Sequence, residues 1–287
     1  MFVPGNRPEK IRKAWGLGAN CIIFDLEDSV PEAEKDAARN LVHQALETAP
    51  SKRPFVLVRT NSHGSSHWRH DLEAAVTPAL QGIMLPKCDS ARQVASADRA
   101  VAALERRRAL KTGSIQFFVL IESARGLLEA PCLVQASTRV AALVLGAEDL
   151  CLDMGIDRTK EGVELDHPRW TVAVCARAYG RLVIDTIYAD FNDPQGLLRD
   201  AESARRLGFS GKLAIHPKQI GPIHTAFRPN EHELAKAREI LAAFARAEAE
   251  GSGAVALNGK MIDRPIVEHA RRVLALAATQ STEGSQS

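Results

Sequence analysis

The chain has 287 residues, 45% of them hydrophobic, with 37 Lys and Arg against 35 Asp and Glu for a net charge of +2. That is enough apolar content for one large core, and the near-balance of charge argues against nucleic acid or an anionic membrane as the main partner. Five scattered cysteines (Cys21, Cys88, Cys132, Cys151, Cys175) form no CxxC pair, and neither a spanning run of about 18 apolar residues nor an apolar leader is present, so the expectation is a reduced, cytoplasmic protein without disulfides or membrane spans.

Short apolar, β-branched runs then recur along the chain: Phe2–Val3, Cys21–Phe24, Phe55–Val58, Gly82–Leu85, Phe117–Ile121, Ala141–Leu145, Leu182–Ile187 and Lys212–Ile215. Continuous apolar runs suit parallel strands buried on both faces. The segments between them, such as Ala91–Arg108, are rich in helix formers. This alternation predicts an α/β fold of the TIM (β/α)8 barrel type over residues 1–229. The first run is so short that either its strand is stubby or the chain begins upstream. Residues 230–287 are expected to form a helical extension: a long helix from Asn230 to Glu250, a link with Gly251 and Gly253, and a final helix from Arg264 to Ala277. The extension reads as too short for a core of its own, packing on the barrel or on a neighbouring subunit. From Thr279 the chain is polar and reads as a frayed end.

In such barrels chemistry sits at the carboxyl ends of the strands. Here those ends carry Asp25-Leu26-Glu27-Asp28, Arg59-Thr60-Asn61, Pro86-Lys87, Glu122-Ser123, Gly146-Ala147-Glu148-Asp149, Asp185 or Asp190, and His216-Pro217. Carboxylates gathered at one rim repel unless a cation neutralises them. A hard divalent ion with oxygen ligands is the natural partner, and Mg²⁺ takes one or two carboxylates plus water and substrate oxygens. Glu122 and Asp149, one βα unit apart, are the candidate ligands. Asp28, before Ser29-Val30-Pro31, also reads as a possible helix cap.

The motifs Val3-Pro4-Gly5-Asn6-Arg7-Pro8, Asp25-Leu26-Glu27-Asp28-Ser29-Val30, Val58-Arg59-Thr60-Asn61, Leu120-Ile121-Glu122-Ser123-Ala124-Arg125-Gly126, Leu145-Gly146-Ala147-Glu148-Asp149-Leu150, Ala214-Ile215-His216-Pro217 and Gly259-Lys260-Met261-Ile262-Asp263 occur in this order. With them the sequence resembles the citrate lyase beta subunit and malyl-CoA lyase group of the HpcH/HpaI aldolase superfamily over nearly its whole length. The resemblance implies Glu122 and Asp149 as Mg²⁺ ligands, with Glu27 and Asp28 behind the metal holding its waters. It implies Arg59 as the clamp on the oxoacid carboxylate, Arg7 and Lys13 near the CoA phosphates, and Asp263 as the acid that exchanges a proton with the acyl-CoA, inserted into a neighbouring subunit's site. It further implies a homo-oligomer, at least a dimer and by analogy a ring of three. The implied reaction is Mg²⁺-dependent carbon–carbon cleavage or formation of a 3-hydroxyacyl-CoA such as malyl-CoA, citramalyl-CoA or β-methylmalyl-CoA, giving an acyl-CoA and a small oxoacid. The alternatives are a citryl-CoA lyase beta subunit, a malate synthase or malyl-CoA thioesterase, and a non-catalytic CoA-binding assembly subunit. Because shorter citrate lyase-like members are expected to lack the C-terminal segment, its presence leans toward the first reading.

Other features read as structural. His63, His67 and His70 around Trp68 lack a carboxylate at metal spacing. Lys87 is placed as a counter-charge to the acids in preference to a Schiff-base lysine. His216 is divided evenly between lining the pocket and packing. Gly16 and Gly18 form no GxGxxG fingerprint, and Gly18 reads as a helix C-cap.

Overall fold

A computed structural model describes residues 1–284 of the chain. Eight strands, β1 (Phe2–Pro4), β2 (Cys21–Asp25), β3 (Phe55–Arg59), β4 (Gly82–Leu85), β5 (Gln116–Ile121), β6 (Val140–Leu145), β7 (Leu182–Asp185) and β8 (Gly211–Lys212), form one sheet in sequential order. Every neighbouring pair in it is parallel. Helices α1 (Pro8–Ala14), α2 (Lys35–Glu47), α3 (Trp68–Ala75), α4 (Ala91–Arg107), α5 (Ala124–Gln135), α6 (Ala147–Met154), α7 (Asp166–Ala178) and α8 (Pro194–Arg206) fill the connections, two of them between β6 and β7. The sheet curls, but β8 does not pair with β1 as a strand. The link there is a hydrogen bond from the Phe2 amide to the Ala214 carbonyl, 2.8 Å. The expected barrel is thus met as an eight-stranded parallel α/β sheet, without a closing ladder. All five cysteines are free thiols, and among the described residues no helix is long and apolar enough to cross a membrane.

Side chains alternate across the sheet with period two. Ile23, Leu57, Met84, Phe118, Leu120, Ala142, Val144 and Leu213 form one buried cluster, joined at its edge by Phe2 and Ile184. The opposite row, including Phe24, Val58, Ile83, Phe117 and Val119, is equally buried; Trp15 beyond α1 meets Phe24 edge-on at 5.5 Å. Burial on both faces explains why the strands read as continuous apolar runs.

β8 is shorter than its apolar sequence predicts. The Gln219 side chain accepts from the amides of Ile215 (2.8 Å) and His216 (3.1 Å), so these donors cap a turn instead of extending a ladder. Lys212, on β8, ties to Asp185 (2.5 Å) and Asp200 (2.6 Å), and Arg169 forks onto Asp185 at 2.9 Å twice. Asp185 is therefore consumed inside a buried ion cluster and is not free for the rim.

The chain divides into two compact units, Met1–Ile223 and His224–Ser287, with α9 (Ile220–Phe227) spanning the division. The second unit holds α10 (Glu231–Ala249), a hairpin of β9 (Val255–Leu257) and β10 (Lys260–Ile262), and α11 (Arg264–Gly284). Asn230 caps α10 with a reciprocal bond from Glu233. Contrary to expectation, this unit has a core: Ala237, Ile240, Phe244, Ile262, Val267 and Ala270 pack together. Its hairpin turns on Asn258-Gly259, both at positive φ (49° and 75°), the signature of a two-residue primed turn. The polar end is helical as far as Gly284; Ser285–Ser287 lie outside the described residues.

Candidate functional site

The inward row of the sheet changes character at its carboxyl end. Two residues beyond Ile23, Leu57, Leu120 and Val144 stand Asp25, Arg59, Glu122 and Gly146. The same pleat that packs the core therefore aims two carboxyls and a guanidinium into one place.

Asp25 and Arg59 end β2 and β3 and are register partners. The Arg59 Nε and Nη2 each donate to Asp25 at 2.7 Å, forming a side-on fork. Burial opposes the Asp25 charge, but the Arg59 fork, with the Ser29 side chain and the Glu27 amide, overcomes it and holds the carboxyl below its ordinary range. The Arg59 Nη1 lies 3.1 Å from Glu27 Oε2 and 3.4 Å from Asp28 Oδ2. The Phe2 ring covers the guanidinium 4.9 Å away.

Glu27 is buried at 5% exposure. Loss of water pushes its pKa up and Asp28 adds to this; against the pull of Arg59 and Lys87 it stands at about 7. The loop that carries it is fixed from behind, where the buried Lys35 ammonium donates to the carbonyls of Leu26 (2.8 Å) and Glu27 (2.6 Å). Asn61 also reaches the Leu26 carbonyl, at 2.9 Å.

Glu122 directly follows β5 and is 4% exposed. Burial is the largest cause raising its pKa, the Glu27 carboxylate the next, and Asp149 contributes; the value is about 8 despite a 2.6 Å bond from the Lys87 amide. A Cβ at position 146 would stand 2.8 Å from the Glu122 Cβ and 2.9 Å from its Oε2. Only glycine leaves Glu122 room to lie over the end of β6. Ser123 caps α5 by accepting from the Gly126 amide at 2.9 Å, which leaves Glu122 free of capping duty.

Asp149 stands in the first turn of α6 and is half-buried. It reaches the site from a helix N-terminus, not from the strand end the sequence predicted, although β5 and β6 are adjacent as expected. Lys87 has φ +51°, an uncommon backbone for a lysine and one that needs local support. Its Nζ lies 3.2 Å from Glu27 and 3.4 Å from Asp28. Burial opposes the Lys87 charge, but the two acids prevail and raise its pKa, which disfavours an amine nucleophile and matches the expected counter-charge role. Among the described residues no group of three or more His, Cys, Asp or Glu converges as a ready-made metal cage.

Arg7 and Lys13 are exposed at the two ends of α1. Asp263 belongs to the second unit, where its carbonyl accepts from the Val267 amide at the start of α11. His67 bonds to Glu32 (2.6 Å) and Arg39 (3.2 Å), and His63 meets the Trp68 ring edge-on at 4.5 Å, contacts that fit the structural reading. His216 accepts from the Lys218 amide and stacks on Phe191 at 4.7 Å.

Residues 1–217 match the family model described as HpcH/HpaI aldolase/citrate lyase. The chain belongs to this family. The aldolases and citrate lyases that give the family its description are carbon–carbon lyases. The citrate lyase subunit beta of Leuconostoc mesenteroides is 37% identical over 277 residues, covering 96% of this chain and 92% of the relative. A (3S)-malyl-CoA thioesterase of Cereibacter sphaeroides is 33% identical over 96% of this chain and 93% of its own. A crystal structure of CitE from Mycobacterium tuberculosis in complex with magnesium, acetoacetate and coenzyme A aligns with a TM-score of 0.81 and 35% identity, covering 96% of both chains. Another, of the citrate lyase beta subunit from the same organism with oxaloacetate and magnesium, aligns at 0.66 and 34%, over 80% of this chain and 96% of that one.

These matches correct one expectation. An alignment over 96% of this chain reaches well into the C-terminal unit, and the Leuconostoc relative is named a citrate lyase subunit. Possession of that unit therefore does not separate malyl-CoA lyase-like from citrate lyase-like members of the family.

Proposed function

We propose that this chain is a Mg²⁺-dependent CoA-ester lyase that cleaves or forms a 3-hydroxyacyl-CoA of the malyl-CoA, citramalyl-CoA or β-methylmalyl-CoA type, on a sheet that closes as a (β/α)8 barrel. The observation that carries this reading is the pair of buried acids, Glu27 and Glu122, both raised in pKa by burial and Glu122 further by the Glu27 carboxylate, set beside Arg59 at one end of the sheet. The Phe2–Ala214 hydrogen bond supports closure.

The residues fit a divalent cation. Ionising two acids this deeply buried calls for a positive charge, and Glu122 with Asp149 supplies the one or two carboxylates that Mg²⁺ takes alongside water and substrate oxygens. When bound, the ion supplies Lewis-acid polarisation of the substrate's hydroxyl or carbonyl oxygen. Arg59 binds the carboxylate of the oxoacid through its remaining N–H groups. Glu27 and Asp28 fix water on the far side of the site. Lys87 offsets their charge and, through its amide, orients Glu122. Arg7 and Lys13 provide exposed cations for the CoA phosphates. Asp263, supplied by a neighbouring copy in a trimeric ring, delivers a proton to the α-carbon of the departing acyl-CoA and removes it in the condensing direction.

The citrate lyase beta subunits among its relatives favour a second reading, a citryl-CoA lyase that releases oxaloacetate. One experiment separates the possibilities. The purified chain is incubated with Mg²⁺ and, in turn, malyl-CoA, citramalyl-CoA and citryl-CoA, while oxoacid and free thiol are followed separately. Oxoacid without thiol identifies a lyase and its substrate. Thiol release identifies a thioesterase outcome. Silence on all three contradicts catalysis by the chain alone and favours a CoA-binding assembly subunit.

A further inference from the structure

We infer that Asp25 is the positioning residue for Arg59: by occupying the side-on edge of the guanidinium it leaves the oxoacid carboxylate only the end-on edge, Nη1 and Nη2. The inference rests on the functional reading above, because it assigns Arg59 to the oxoacid.

The Asp25 carboxylate is saturated. Its Oδ1 accepts from Arg59 Nε (2.7 Å) and the Glu27 amide (3.0 Å), and its Oδ2 from Arg59 Nη2 (2.7 Å) and the Ser29 amide (3.2 Å). Four donors match the roughly four lone-pair sites of a carboxylate, so Asp25 neither swings nor offers an oxygen elsewhere. It is 1% exposed, and the in-register pairing of β2 with β3 fixes the backbone on both sides of the contact. A guanidinium has five N–H groups. The fork uses the Nε–H and one on Nη2, and the Phe2 ring covers one face. The donors left over are on Nη1 and the outer side of Nη2. Nη1 is already turned to Glu27 and Asp28. An incoming oxoacid carboxylate therefore displaces Asp28 Oδ2, the hydrogen-bond acceptor of Nη1 at 3.4 Å, and competes for Nη1 with the nearby Glu27 Oε2, which accepts no hydrogen bond. Without Asp25 the guanidinium is free to rotate and to offer its side edge to Glu27, which closes the oxoacid site.

The test compares Asp25→Asn, Asp25→Glu and the control Asp98→Asn in the full chain with Mg²⁺. Asp98 pairs with Arg139 (2.6 Å), which precedes β6 at the opposite end of the strand, and so reports the generic effect of breaking an Asp–Arg pair. In Asp25→Asn the KM for the oxoacid in the condensing direction is expected to rise about 10–100-fold, the loss of one or two charge-assisted bonds. The KM for the acyl-CoA stays put, and Asp25→Glu recovers part of the oxoacid KM. Asp98→Asn alters neither KM. An oxoacid KM unchanged in Asp25→Asn overturns the inference; should that variant not fold, an unchanged KM in Asp25→Glu does so. A second measurement needs no turnover. In ¹⁵N-arginine NMR of the wild-type chain, the Arg59 Nε–H, assigned by its disappearance in Arg59→Lys, is expected to exchange slowly with solvent. Exchange as fast as that of exposed arginines overturns the inference, whereas slow exchange without activity on any CoA ester sinks the functional reading alone.

Discussion

Replacing Glu122 with Gln tests the electrostatic reading of the site without emptying it. The amide keeps the size of the side chain and can still accept from the Lys87 amide, while the charge disappears. In the metal-free protein the folded Glu122 titrates at about 8 against an ordinary 4.5. The native state therefore binds more protons than the unfolded chain between those values, and stability must fall as pH rises through that window. Each pKa unit corresponds to about 1.4 kcal/mol, so holding this carboxylate ionised at pH 8 costs the metal-free fold on the order of 2–4 kcal/mol. Urea denaturation with a chelator at pH 5 to 8 isolates the effect, because every other group is common to both proteins. The wild type is expected to lose roughly this amount relative to Glu122→Gln and to become the less stable of the two at pH 8. Excess Mg²⁺ should then restore the wild type and leave the variant where it was. Equal pH slopes, or equal rescue by Mg²⁺, would refute the assignment of Glu122 as a buried ligand under like-charge repulsion.

Four further outcomes follow from the same structure. Mg²⁺ binding should release protons near neutral pH, because Glu27 at about 7 and Glu122 at about 8 must ionise; calorimetry in buffers of different ionisation enthalpy reads this directly, and a buffer-independent heat would contradict it. Lys87→Met removes a cation 3.2 Å from Glu27 and should drive the Glu27 titration further upward, visible in ¹³C carboxyl NMR; an unmoved resonance would count against the pairing. Asp263→Asn should abolish turnover while Mg²⁺ and CoA bind nearly as before, and wild-type turnover would remove Asp263 from the mechanism. Gly259→Ala places a side chain at φ +75° and should destabilise the hairpin by about 1 kcal/mol, measurable as faster amide exchange across β9 and β10, with no effect on the titration of Glu122.

Most of the strand pattern was legible because both faces of the sheet are buried, so apolar runs and strands coincide. The rim was legible in composition but not in wiring. Asp25 sits in the same acidic run as Glu27 and Asp28, yet its partnership with Arg59 depends on the register of β2 against β3, which no local pattern encodes. The period-two row from Ile23 to Asp25 and from Leu57 to Arg59 was the available signal. Asp149 was read as a strand-end residue because the α6 start at Ala147 has no capping side chain on Gly146 to mark it. The Asn258-Gly259 hairpin was missed although that dipeptide marks a tight turn, because the flanking strands are only three residues each. The positive φ of Lys87 had no sequence signal at all, since lysine is a rare residue there; it is supported by the bonds its amide and carbonyl make to Glu122 and Gln93.

The most direct test of the account is a crystal of the full chain grown with Mn²⁺ in place of Mg²⁺ and with pyruvate, read by anomalous scattering. The account predicts one anomalous peak bridging the carboxylates of Glu122 and Asp149, with the pyruvate carboxylate on the end-on edge of Arg59. A peak elsewhere, or pyruvate bound away from Arg59, would contradict it.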